Sequence, residues 1–151
     1  MKTLFYLLLA VAIAGCTSST NTSAIPYIQR TWLLLNATTI QGNDTSFTDY
    51  TANQKFIKII NATHFSFLKH DLEKGLDSTN NVFTAGAGSY TLKGTTYTEN
   101  LEFCNYRPFE GHVFEFELTL IGDTLIQQGR EKVEELGVDR IIIEKYVALE
   151  K

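Results

Sequence analysis

The chain has 151 residues, 44% of them hydrophobic and 20% charged, with two prolines and ten glycines; that is globular composition, neither disordered nor fibrous. One domain is expected, long enough to bury roughly two-thirds of its unfolded surface. The formal charge of −4 comes without a basic stripe or a Lys/Arg-rich run, which argues against nucleic acid as a partner.

The first element is a leader. Met1 and Lys2 make a short positive start, and residues 4–14 form an 11-residue apolar run without charge. Such a run is too short for a permanent membrane-spanning helix and suits the core of a signal peptide. It ends in Ile13-Ala14-Gly15-Cys16, which resembles the lipobox of bacterial lipoproteins. That resemblance implies cleavage after residue 15 and acylation of Cys16, including palmitate, so that several chains hold the protein on a membrane where one would be marginal. Residues 16–26 then read as the lipidated cysteine and a small, polar, flexible tether, and residues 27–151 as the folded domain. No acidic residue follows Cys16 directly. By resemblance to lipoprotein sorting rules, this favours an outer-membrane anchor in the cell envelope. Cys104 remains as a lone thiol with no redox motif around it, and is expected to be a small structural residue.

Eight strands are expected after the tether, at residues 30–40, 54–60, 64–70, 89–93, 96–104, 112–121, 124–129 and 139–149. Val, Ile, Thr, Phe and Tyr fill these runs, with Gly, Asn and Asp between them. Residues 41–53 and 71–88 read as polar loops, and residues 130–136 as an exposed charged loop. The connections after the second, fourth and sixth strands are tight, while those after the first, third, fifth and seventh are long. In an up-and-down arrangement this puts all tight turns at one end and all long loops at the other. A single eight-stranded antiparallel barrel with a closed bottom and an open mouth is the expected fold, because closure removes exposed edges and a sandwich would scatter the long connections.

Strand alternation sorts the side chains. Phe114, Phe116, Leu118 and Leu120 point inward, as do Phe65, Phe67, Tyr90 and Leu92. On the fifth strand Tyr97, Glu99, Leu101 and Phe103 share the inner face, and Cys104 falls on the other. The last strand is ambiguous: Ile141, Ile143, Lys145 and Val147 oppose Ile142, Glu144, Tyr146 and Ala148. Glu99 is the singular residue, a carboxylic acid on a core-like face, which must find a partner or take up a proton. Candidate partners are the hydroxyls of Tyr90, Tyr97 and Tyr146, or a cation such as Lys145 or Arg107. The ligand-binding set expected from this facing is Glu99 with Tyr97, Tyr90 and Tyr146 as polar anchors and Phe65, Phe67, Phe114 and Phe116 around an apolar body. A negative Glu99 favours a neutral hydroxylated or a cationic ligand over a carboxylate.

With its tryptophan at the start of the first strand (Arg30-Thr31-Trp32), consecutive antiparallel strands and closure by the last strand, the domain resembles the lipocalin and fatty-acid-binding (calycin) group. The whole chain resembles small lipocalin-like bacterial lipoproteins of uncharacterised function. It departs from the group in having Arg30 where a glycine precedes the tryptophan, and in lacking an arginine late in the last strand, where Lys145 is the nearest cation. The resemblance implies a small-molecule binder and brings no catalytic residues. No cofactor is expected: His64 and His70 lack a third metal ligand, and Gly86-Ala87-Gly88 precedes a strand rather than a helix. Three functions fit these residues. One is an envelope lipoprotein binding a small, partly apolar molecule. The second is a cavity isomerase or hydrolase with Glu99 as general acid or base. The third is a packed structural or partner-binding protein.

Overall fold

A computed structural model of the protein describes residues 28–149 with the exception of Asn80; the expected signal peptide, Cys16 and residues 16–26 lie outside the described residues. Nine strands form one antiparallel sheet: β1 (Thr31–Gln41), β2 (Asp44–Asp49), β3 (Gln54–Ile60), β4 (His64–Asp71), β5 (Phe83–Lys93), β6 (Thr96–Cys104), β7 (Val113–Ile121), β8 (Thr124–Val133) and β9 (Val138–Ala148). Eight of them, all but β2, close into a barrel, because β9 pairs with β1 over Trp32–Ala148 to Ile40–Ile141. The ninth is an outer addition. β1 leaves β3 after Leu33 and pairs instead with β2, through a hairpin at Gly42, which adopts φ +60.

The tight turns at residues 61–63, 94–95 and 122–123 lie together at the closed end. Each has a local cause: Asn61 Oδ1 accepts the backbone N–H groups of Thr63 and His64, and Gly94 and Gly122 supply the positive φ their turns demand. Trp32 seals this end. It is fully buried, donates from Nε1 to the Ile28 carbonyl at 2.9 Å, and packs with Leu34, Ile60, Phe65, Tyr97, Leu118, Leu125 and Tyr146.

Three expectations about the long connections are corrected. The first polar loop contains β2. The second is shorter, because β5 begins at Phe83 rather than residue 89, with Gly86 and Gly88 inside the strand. The expected charged loop after the seventh barrel strand continues β8 to Val133, then a 3-10 turn (Glu134–Leu136) ends on Gly137 at φ +63. Ala and Gly carry little strand propensity on their own. What extends β5 is pairing on both sides, to β4 from Phe83 and to β6 from Gly86.

A bulge changes the facing of β6. Gly88 pairs with Leu101 but Ala87 pairs with Phe103, so Glu102 is the extra residue. Tyr97, Glu99 and Leu101 point inward as expected; beyond the bulge Phe103 turns out, 63% exposed, and Cys104 turns in. Leu120, expected inside, is also half exposed near the end of β7. On β9 the inner face is Glu144 and Tyr146, and Lys145 faces solvent.

Candidate functional site: a charged floor under a half-open cavity

The barrel interior is filled in its lower half and hollow above. The hollow measures about 260 Å³, larger than the ~150 Å³ that accommodates benzene and a little below drug-sized pockets. Phe56, Phe67, Leu101, Phe114, Phe116 and Ile142 supply apolar wall; Tyr50, Tyr106 and Phe109 reach it from the connections at the mouth.

Its floor is polar, and the residues come from strands far apart in the barrel. Lys58 on β3 projects inward between Phe56 and Ile60 and is almost fully buried. Its ammonium forms an ion pair with Glu99 on β6 and donates to Gln127 Oε1 on β8 at 2.8 Å. The rings of Phe65, Tyr97, Phe116 and Tyr146 surround it at 5.3–6.0 Å. A buried ammonium thus has an opposite charge, a neutral acceptor and several aromatic faces, which together offset its desolvation. The partners expected for Glu99 are therefore corrected. Lys145 lies outside the barrel, and Arg107 pairs with Glu110 on a mouth turn. The Tyr97 hydroxyl lies against Glu99 without a well-formed hydrogen bond, and burial beside that negative charge pushes its pKa far above the ordinary phenol range.

Glu144, one level above Tyr146 on β9, joins Glu99 as a buried acid lining the cavity. Tyr146 donates its hydroxyl to Glu144 Oε2 at 2.7 Å. Burial dominates over this bond and over the pull of Lys58, raising the carboxyl to a pKa of about 7. Higher still, Arg140 is held by Glu131 at 2.6 Å, and Lys69 stands over the ring of Tyr50 with its Nζ 5.8 Å from the centroid.

The expected binding residues divide by depth. Glu99, Tyr146, Phe67, Phe114 and Phe116 line the cavity. Phe65 and Tyr97 are packed beneath it, and Tyr90 donates its hydroxyl to the Asn61 carbonyl near the closed end. Lys58, Gln127, Glu144, Lys69, Arg140 and Glu131 were not singled out from the sequence, although all line the cavity. A signal existed for Lys58: it alternates with Phe56 and Ile60, the same pattern of a charge on an apolar face that marked Glu99. His64 and His70 are exposed on the outer face of β4, and the described residues hold no cluster of three or more potential metal ligands. The sequence matches no protein-family model and no curated protein.

Proposed function

We propose that this is an envelope lipoprotein, anchored through acylated Cys16, whose lipocalin-like barrel binds a small, partly apolar molecule. The observation that carries the binding reading is the hollow upper half of the barrel. A protein of this size that needed only a stable fold could fill that space with side chains, as eight strands permit; here about 260 Å³ is left above a floor of oriented polar groups. Apolar walls with a few convergent polar groups are the usual composition of a ligand site. The chain enters the barrel at the closed end, where Ile28 packs under Trp32, so a tether from Cys16 attaches opposite the mouth and the ligand arrives from the aqueous side.

An enzymatic reading has one specific observation in its favour, and it moves from Glu99 to Glu144. Glu99 is committed to Lys58, whereas Glu144 has a carboxyl that titrates near neutral pH beside the Tyr146 hydroxyl, the condition a general acid or base requires.

Native mass spectrometry of protein purified from its own envelope tests the binding reading. A retained molecule that departs on mild activation is expected. The naked mass alone, together with no thermal shift from any compound of suitable size, would overturn it. Membrane fractionation of the Cys16→Ser variant tests the anchor: the variant is expected in the soluble fraction, and unchanged membrane retention counts against acylation.

A further inference from the structure

The charges that line the cavity are not equally free. Lys58 is bound to Glu99 and Gln127. Arg140 is bound to Glu131, which cancels its charge at 2.6 Å. Glu144 is sequestered by Tyr146 and, with a pKa raised to about 7 by burial, carries at most part of a charge at neutral pH. Lys69 is the exception. Among the described residues no carboxylate lies within ion-pairing distance of it; its ammonium stands over the face of Tyr50. Partial burial draws its pKa below the ordinary lysine value, as happens to a cation short of both solvent and counter-charge.

The surroundings of Lys69 sharpen this. It stands directly opposite Thr84 in the β4–β5 ladder and opposite Phe56 in the β3–β4 ladder, and all three line the cavity. A cation and a hydroxyl therefore sit side by side at the mouth, with the aromatic wall beginning immediately below them. After the internal pairs cancel, Lys69 near the entrance is the positive group left facing the cavity, and Glu144 deeper in, largely protonated below its pKa of about 7, opposes it little at mildly acidic pH.

Resting on the binding reading above, we propose that the cavity takes a small monoanion: a carboxylate on a short aromatic or branched body, its head at Lys69 and Thr84 and its far end toward Glu144 and Gln127. This reverses the preference for a neutral or cationic ligand that Glu99 alone suggested, because Lys58 neutralises Glu99. The volume limits the body to little more than a single ring with a short arm. A long acyl chain exceeds the space, since ~150 Å³ already fits only benzene.

The far end meets a carboxyl and a carboxamide, so a hydroxyl there is expected to bind better than bare hydrocarbon. Three probes of similar size with the same phenol ring separate the possibilities: 4-hydroxyphenylacetate (anionic arm), 2-(4-hydroxyphenyl)ethanol (neutral arm) and tyramine (cationic arm). They are titrated into the folded protein at pH 6, where Glu144 is largely protonated, and low salt, followed by calorimetry or by NMR shifts.

The anion is expected to bind roughly tenfold or more tightly than the neutral probe, the gain typical of an ionic hydrogen bond, and tyramine weakest of all. Lys69→Met, which keeps the stem and removes the charge, should bring the anion down to about the level of the neutral probe, while the neutral probe loses far less than the anion does. Lys69→Arg should retain the preference. Equal binding of all three, or a preference for tyramine, overturns the assignment of charge and leaves the cavity reading standing. Failure of all three at millimolar concentration overturns the ligand class proposed here, while the binding reading stands or falls on the native mass measurement.

Discussion

Lys58 and Glu99 meet across the barrel interior although two strands, β4 and β5, separate theirs in the wall. Each ion alone would be costly there; the pair and the Gln127 acceptor make the burial tolerable. Lys58→Met leaves Glu99 buried beside apolar rings without its counter-charge, and should cost about 3–5 kcal/mol in urea unfolding followed by Trp32 fluorescence. Lys58→Met combined with Glu99→Leu should recover most of that loss, because a packed apolar pair of similar volume is often as stable as a buried ion pair. A double variant no better than the single would mean that the loss is one of packing rather than of charge. At this scale the alternation of β6 made the inward facing of Glu99 legible. Its partner was not, since local pattern says nothing about which strand lies across the barrel.

The elements extend beyond what their composition predicts because the neighbouring strands require it. Gly88 on β5 faces the bulge of β6 so closely that a Cβ there would stand 1.8 Å from the Asn100 carbonyl oxygen. Glu102, the bulged residue, turns its carboxylate back to accept from the Ser89 backbone at 3.0 Å and hydroxyl at 2.6 Å. The bulge and the glycine are thus one device: it bends β6, brings Cys104 to the cavity and sends Phe103 to the surface. Gly88→Ala is expected to cost at least about 2 kcal/mol, by overpacking against backbone that has no rotamer to yield. Ala87→Ser, one residue along and on the opposite face, should change stability by less than about 0.5 kcal/mol. Comparable midpoints for the two variants in a thermal melt would refute the close approach. Gly86-Ala87-Gly88 read from the sequence as the approach to a strand, because a glycine required by a neighbour's backbone looks the same in sequence as one in a loop.

Across the whole molecule, closure of the sheet gathers buried acids into one interior, and stability becomes pH-dependent through Glu144. An unfolded glutamate titrates near 4.5 and the folded Glu144 near 7. Between these values the unfolded state has released its proton while the folded state keeps it, so stability falls as pH rises through this window and levels off above it. A shift of this size corresponds to about 3 kcal/mol. At the acid end, Asp71 is held below its ordinary value by the Gly75 and Val82 amides, and Glu102 by Ser89. Their contribution is present above the unfolded carboxylate values and is lost as pH falls below about 4. Maximum stability is therefore expected near pH 5, with a decline toward pH 7. Glu144→Gln should flatten the upper arm and raise stability at pH 8; an unchanged slope would show that Glu144 does not carry it. The even distribution of tight turns made the barrel itself legible, since connection lengths survive in sequence as runs of Gly, Asn and Asp.

By itself, the sequence determined the strand count of the closed barrel, the ends at which turns and loops gather, the inward side of β4, β7 and the first half of β6, and the presence of an acid inside. Tertiary structure decided the ninth strand, the extension of β5 and β8, the reversal at Glu102, the inner face of β9, and above all the partners of the buried charges. The reason is physical. Alternation and turn chemistry act between residues a few positions apart, and are written in the chain. Which cation neutralises Glu99, and which one is left over at the mouth, depends on strands that come together only when the sheet closes.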